Sequence, residues 1–184
     1  MMNRASYKPG PAVGAEVRKD GAKWTLVLVR ELRHPPVKVW EALTSQQELR
    51  EWAPFDADRS LDAVGPVTLT TVGAPKQITD DTEVTRAEAP SLLEYHWGGN
   101  DLRWQLEPAG VGTRLTLWHN IPKNFISMGA AGWHICIDVM DQYLAGEPLG
   151  RIVAGDAMNF EWQRLNGEYA KQFGITPPAW PPQR

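Results

Sequence analysis

Five side chains between positions 119 and 141 have the chemistry to hold a ligand, bind a metal or transfer a proton. They are His119, His134, Cys136, Asp138 and Asp141. A histidine among apolar neighbours can orient a ligand or act as an acid–base group. His134 and Asp138 are four residues apart on a predicted helix, a spacing that suits a metal ion or an ion pair.

Each of these residues also has an ordinary structural interpretation. For His119 it is a histidine at a strand end that bonds to backbone, the more common outcome. No third ligand follows His134 and Asp138 in the sequence, so we interpret them as a surface pair and predict no metal site. Asp141 flanks an apolar stripe and faces either a cavity mouth or solvent. Cys136 lies within that stripe and is predicted to be a small buried hydrophobe, not a nucleophile.

Most of these residues lie on a predicted long helix from Ser127 to Ala145. An apolar stripe at helical spacing defines one face, and Gly146 and Pro148 provide the stop signal. Ile135 and Val139 lie on the opposite face, so we expect a sheet on one side and a second helix or a partner chain on the other. The stripe comprises Trp133, Cys136, Ile137, Met140 and Leu144.

The chain before this helix is strand-like, with runs separated by tight turns, which favours an antiparallel sheet. Alternation places one residue set of each strand on a single face, and we expect these sets to face the long helix. The three sets are Leu93, Tyr95 and Trp97; Leu102, Trp104 and Leu106; and Leu115, Leu117 and His119.

The domain organisation follows from these elements. Residues 1–12 contain Pro9, Gly10 and Pro11 without periodicity, so we expect a flexible N-terminal segment. Residues 13–174 form one domain that includes an extra helix over 156–173. Residues 175–184 form a proline-rich tail. Two short helices are predicted after the first long strand, the second starting at a capping box at Ser45.

Composition excludes several classes of function. Net charge is −3 without a basic cluster, which argues against nucleic-acid binding. No apolar run reaches the length of a membrane span, and a single cysteine allows no internal disulfide. We therefore expect a cytoplasmic protein. Nine tryptophans against four tyrosines and four phenylalanines is unusual, and indoles suit a cavity wall as well as a core.

Several stretches resemble a known family. They are WTLVLVRELRHPPVKVWEALT from Trp24, ELREW from Glu48, LLEYHW from Leu92, GTRLTLWH from Gly112 and GWHICIDVMDQYLAGEP from Gly132. Their order and spacing resemble the bacterial branch of homologues of the heat-shock protein 90 ATPase activator, within the START/Bet v 1-like (SRPBCC) superfamily.

The resemblance implies an α+β helix-grip fold: a curved antiparallel sheet wrapped around a long C-terminal helix, with an apolar cavity between them. We therefore expect binding of a small hydrophobic or aromatic ligand in a carrier or sensor role, without a cofactor. A chaperone-activator module and an enzyme using His119 as acid–base remain alternatives, as does a homodimer. The expected ligand-binding residues are Tyr95, Trp97, Leu102, Trp104, Leu115, Leu117, His119, Trp133, Ile137 and Met140.

Overall fold

The computed structural model describes residues 3–179, so residues 1–2 and the end of the predicted tail, 180–184, lie outside it. The strands are β1 (Ala15–Asp20), β2 (Lys23–Leu32), β3 (Phe55–Ala57), β4 (Gly65–Thr71), β5 (Ile78–Glu88), β6 (Leu92–Trp97), β7 (Asn100–Ala109) and β8 (Gly112–Asn120). The α-helices are α1 (Pro36–Thr44), α2 (Gln46–Trp52), α3 (Ile126–Leu144) and α4 (Trp162–Phe173), and 3-10 helices cover Arg4–Ser6, Lys123–Phe125 and Ala154–Phe160.

All eight strands belong to one antiparallel sheet with the order β1-β2-β8-β7-β6-β5-β4-β3. Strand β8 pairs with β2, so the later strands of the chain join the sheet beside the first long strand. Short turns join the neighbours from β5 to β8, as the sequence predicts. The predicted α+β helix-grip fold is confirmed: a curved sheet holds the long helix α3 against one face.

The sheet register fixes which side chains face α3. On β8, Leu117 lies opposite Trp104 of β7 and Leu28 of β2, and all three are at most 1% exposed. Two residues further along β8, His119 lies opposite Leu102 of β7 and Leu26 of β2. Alternation along each strand therefore collects the predicted residues into one core beneath the helix.

Helix α3 spans 19 residues and ends as predicted. Gly146 adopts a left-handed φ of 82°, and its N–H donates to the carbonyl of Tyr143, which completes the C-cap. Both apolar faces are covered, since Ile137 on one face is 1% exposed and Ile135 and Val139 on the other are fully buried.

Helix α4 covers the second face of α3. Leu165 and Tyr169 of α4 are fully buried there, so the helix folds back within its own chain. The predicted continuous helix over 156–173 differs from the structure, which has a 3-10 helix followed by α4. Glu161 separates the two with a left-handed φ of 60°, a backbone conformation that cannot continue a right-handed helix.

The N-terminal segment, for which composition predicts flexibility, makes specific contacts with the rest of the chain from residue 4 on. Tyr7 is 6% exposed, and its hydroxyl donates to Asp138 Oδ2 at 2.6 Å. The Arg4 guanidinium donates to the carbonyls of Leu149, Gly150 and Arg151. These side-chain contacts over more than a hundred residues of sequence attach a segment that has no periodicity of its own.

Strand β3 was not predicted from the sequence. It has only three residues and follows Pro54, which gives too short a pattern for an alternation to show. Its Phe55 is fully buried and lies against Trp97 with ring centroids 5.2 Å apart. This edge strand therefore supports the end of the sheet where β6 turns into β7.

Candidate ligand-binding site

A cavity of about 290 Å³ opens at one end of the sheet. It lies where β4 ends, β5 begins, β6 turns into β7, and β8 approaches its last residue. Strand ends from four places in the sequence therefore meet around one space. The residues that line it are Thr71, Ile78, Asp80, Trp97, Gly98, Asn100 and His119.

His119 is the inner polar group of this cavity. It is 6% exposed, and its Nδ1 accepts a hydrogen bond from the indole Nε1–H of Trp133 at 2.9 Å. An indole nitrogen can only donate, so Nδ1 carries no proton and the neutral ring holds its proton on Nε2. His119 Nε2 is buried and has no hydrogen-bond partner among the described residues.

Burial lowers the pKa of His119 to about 4, because the charged imidazolium is poorly solvated there. The ring is consequently neutral at pH 7. A neutral imidazole whose Nδ1 is already occupied offers one N–H donor and no free acceptor. His119 is therefore suited to hold an acceptor atom, and not to remove a proton from a bound molecule.

Aromatic rings surround this histidine. Trp97 lies nearly parallel to the His119 ring, with an interplanar angle of 25° and centroids 6.2 Å apart. Trp133 contacts both Trp97 and Trp104 edge to face, with centroids 5.9 and 5.4 Å away. The three indoles interlock, so the space available lies beside Trp97 and His119, away from the point where the indoles meet.

The ten residues predicted to bind a ligand separate into two groups. Nine of them belong to or pack against one hydrophobic cluster around α3, and the tenth, His119, is a buried polar residue. Trp97 and His119 line the cavity of about 290 Å³. The other eight are at most 3% exposed and form the packed core behind it: Tyr95, Leu102, Trp104, Leu115, Leu117, Trp133, Ile137 and Met140.

Comparison with known proteins decides the family. The sequence matches the model described as Activator of Hsp90 ATPase homolog 1-like protein over residues 33–145, more than half of the chain. The chain belongs to this family. The match ends at the C-cap of α3, so helix α4 lies beyond it. No curated protein matches the sequence significantly.

Solved structures of bacterial proteins share the fold. A conserved protein of unknown function from Enterococcus faecalis has a TM-score of 0.66 at 17% identity, covering 86% of this chain and 89% of its own. A protein from Bordetella parapertussis has a TM-score of 0.62 at 20% identity, covering 96% and 97%. CalU16 from Micromonospora echinospora has a TM-score of 0.60 at 18% identity, covering 87% and 93%. At these identities the likeness concerns the fold alone.

Sequence reasoning missed the cavity residues that come from turns and strand ends. Gly98 and Gly99 form the β6–β7 turn with positive φ, and Asn100 begins β7. Asp80 Oδ2 accepts the N–H of Gly98 at 2.7 Å, which joins the β6–β7 turn to β5. The signal that could have located them is the alternation on β5, which places Asp80 on the same face as Val84.

His134 and Asp138 do pair, with Nε2 3.5 Å from Oδ2, but the predicted surface position is wrong for the histidine. His134 is 1% exposed, and its Nδ1 lies 2.7 Å from the hydroxyl of Tyr169 on α4. Burial lowers the pKa of His134 to about 3, with smaller contributions from Arg30 and Arg164. Asp138 lies 3.5 Å from Arg30 and accepts a hydrogen bond from the Tyr7 hydroxyl. Asp138 therefore anchors the N-terminal segment, and His134 anchors α4 through Tyr169.

Two other candidates take no part in the cavity. Asp141 Oδ1 lies 2.7 Å from His34 Nε2, and Asp141 is not among the residues that line the cavity. Burial raises the pKa of the Cys136 thiol to about 12, consistent with the predicted small hydrophobe. Among residues 3–179, no group of three or more His, Cys, Asp or Glu side chains could hold a metal ion, and no helix is long and apolar enough to cross a membrane.

A larger concavity of about 340 Å³ lies over the opposite face of the sheet. Its polar side chains contact one another: His96 lies 2.6 Å from Asp101, and Arg103 lies 3.4 Å from Glu94. Arg103 also covers the ring of Trp118 at 5.1 Å. Because none of its lining side chains is a buried polar group without a partner, this concavity is the weaker candidate despite its size.

Proposed function

We propose that this protein binds a small, mainly apolar, aromatic molecule in the cavity beside Trp97 and His119, as a carrier or sensor. The observation that carries the proposal is the Nε2–H of His119. It is a buried donor at a cavity wall, and among the described residues it has no acceptor. The proposal keeps the cytoplasmic location that the sequence predicts.

The energetic argument concerns that unpaired donor. A buried N–H without a partner costs about 1–3 kcal/mol. A ligand carbonyl, ether or hydroxyl oxygen beside Nε2 would recover this free energy, whereas a pure hydrocarbon would not. Trp97 presents its indole to the same space, and aromatic rings pack favourably against it. A mainly apolar wall with a few polar groups that orient the ligand is the usual form of a small-molecule site.

The enzyme alternative is less well supported by this geometry. Its acid–base residue was to be His119, whose free nitrogen is protonated and whose pKa is lowered to about 4. The interaction-module alternative would need a contiguous exposed apolar patch. Among the described residues the exposed large apolar side chains stand on different elements and turns, and one of them, Ile78, lines the cavity: Val13, Val37, Val64, Ile78, Val111 and Phe125.

A ligand panel tests the proposal. Fatty acids, sterols, flavonoids and aromatic polyketides are screened by thermal unfolding, because a ligand that binds only the folded state raises the melting temperature. A ligand beside Trp97 should also change tryptophan emission. If no member of the panel stabilises the protein, the binding proposal fails.

A matched pair of variants locates the site. In His119→Phe, a stabilising ligand that carries an acceptor oxygen should lose roughly tenfold in affinity, while its hydrocarbon analogue should not. Comparing two ligands within one variant cancels any change in the variant's own stability. His96→Phe alters a histidine on the opposite face of the sheet and should leave both affinities unchanged. Equal losses in the two variants would contradict the assignment of the site.

A further inference from the structure

The polar groups of the cavity differ in chemistry between its inner wall and the strand that borders it. His119 supplies a neutral N–H donor from within the core. Asp80 supplies a carboxylate from β5, and it is the one charged side chain among the seven lining residues. None of the seven described lining residues is a lysine or arginine that could balance a negative group on a ligand.

The register of β5 shows that Asp80 faces the cavity. It lies opposite Leu69 of β4, which is fully buried on the concave face of the sheet. Asp81, the next residue, lies opposite Thr68 and accepts the Thr68 hydroxyl at 2.8 Å on the other face. Asp80 and Asp81 therefore point to opposite faces of the sheet.

The carboxylate of Asp80 is only partly used within the protein. Oδ2 accepts the N–H of Gly98. A carboxylate has four acceptor positions on two oxygens, so it can also accept from a ligand hydroxyl or amine. Asn100 and Thr71 add an amide and a hydroxyl to the same lining.

We infer that the cavity selects neutral or cationic aryl ligands with an acceptor oxygen at one end and a hydroxyl or amine at the other, and rejects carboxylates. This inference rests on the proposed binding function. The acceptor end pairs with His119 Nε2–H, and the donor end pairs with Asp80. A ligand carboxylate near Asp80 would bring two negative charges together without a cation between them. This repulsion would weaken the binding of carboxylate ligands relative to neutral ones.

The neutrality of the histidine supports the same selection from the other end. Burial lowers the pKa of His119 to about 4, so at pH 7 it offers a ligand carboxylate a hydrogen bond but no positive charge. Fatty acids and other anionic ligands would therefore have no cationic partner in the lining. Hydroxylated aryl ketones carry both groups, a carbonyl oxygen for His119 and a hydroxyl for Asp80.

The test uses two bicyclic probes that differ at one end. The first is 6-hydroxy-2-acetylnaphthalene, a neutral hydroxyaryl ketone, and the second is 6-acetyl-2-naphthoate, which has a carboxylate in place of the hydroxyl. Affinities are measured by calorimetry at pH 7 on the full chain. We expect the hydroxy ketone to bind at least about tenfold more tightly.

Two variants identify the cause. Asp80→Asn should reduce the preference to less than about threefold by admitting the carboxylate. Asp81→Asn removes the same charge from the same strand on the other face, and should retain the full preference. Loss of preference in both variants would indicate a net-charge effect and would overturn the assignment to Asp80.

The outcomes separate the inference from the proposed function. If the carboxylate probe binds the wild-type protein as tightly as the hydroxy ketone, the charge selection is wrong while ligand binding stands. If neither probe nor any member of the wider panel binds, the proposed function itself fails, and the selection fails with it.

Discussion

The indole Nε1–H of Trp133 donates to Nδ1 of His119 at 2.9 Å, so a side chain of the long helix determines the tautomer of a side chain on β8. This contact leaves the remaining imidazole proton on Nε2, which is buried and has no hydrogen-bond partner among the described residues. It also opposes protonation of the ring, because a protonated Nδ1 would face another donor. The polarity of the proposed site therefore depends on packing between helix and sheet.

The buried histidine should make the fold sensitive to acid. His119 has a pKa near 6.5 in the unfolded chain and about 4 in the folded one, so the unfolded chain binds a proton first as the pH falls. Stability present above pH 6.5 is then lost between pH 6.5 and 4. From pH 7.5 to 5, the contribution of His119 should fall by about 2 kcal/mol.

Urea unfolding of wild type and His119→Phe at each pH measures this contribution. The variant should start less stable and lose less stability on acidification. Burial also raises the pKa of Asp138, which acts in the opposite direction, but that contribution is common to both proteins. An identical pH dependence of stability in the two proteins would show that His119 does not titrate as described.

Ile137 should be an important core residue of α3. It is 1% exposed on the face that meets the sheet, so Ile137→Ala removes buried methyl groups and leaves a cavity. The expected loss is about 2–5 kcal/mol in the free energy of unfolding. Val111→Ala is the control, since Val111 is 91% exposed and should change stability by less than about 0.5 kcal/mol. A similar small effect at Ile137 would remove it from the core.

The Tyr7 hydroxyl should stabilise the attachment of the N-terminal segment. Tyr7→Phe removes a buried hydrogen bond to a carboxylate, with an expected cost of about 1.5–3 kcal/mol. A double-mutant cycle with Asp138→Asn, followed by chemical unfolding, isolates the pair. The two substitutions should be less costly together than the sum of their separate effects. Simple additivity would mean that the two side chains do not interact in solution.

Removal of α4 should expose the second face of α3. A chain ending at Gly155 leaves Ile135 and Val139 uncovered and deprives His134 of Tyr169. We expect this short form to aggregate, and sedimentation velocity of both forms at equal concentration measures it. A stable, soluble monomer after truncation would contradict the covering role of α4. A dimer of the intact chain that becomes monomeric on truncation would instead assign α4 to an interface between copies.

Local periodicity was sufficient to predict much of the core. The alternation of Leu115, Leu117 and His119 placed the histidine on the inner face, because successive strand residues must point to opposite sides. Helical spacing placed Ile137 and Met140 on a buried stripe for the same kind of reason. Gly146 ended α3 as predicted, because a residue without a Cβ adopts the left-handed conformation without steric strain.

The same local rules could not predict that His134 would be buried. The pattern around His134 and Asp138 does not show whether another element covers them. In the structure Tyr169 of α4 contacts His134, and Tyr7 of the N-terminal segment donates to Asp138. Burial depends on contacts between residues far apart in sequence. A local periodicity of two or 3.6 residues contains no information about such contacts.

The cavity itself is a product of the tertiary structure. The sequence by itself determined that Trp97 and His119 point inward, through the alternation of their own strands. Asp80 and Asn100 reach the same space because β5 and the β6–β7 turn meet at one end of the sheet. The proton of His119 is placed by Trp133, on a different element. Strand pairing and helix packing decided these juxtapositions, because they alone bring separate segments within hydrogen-bond distance.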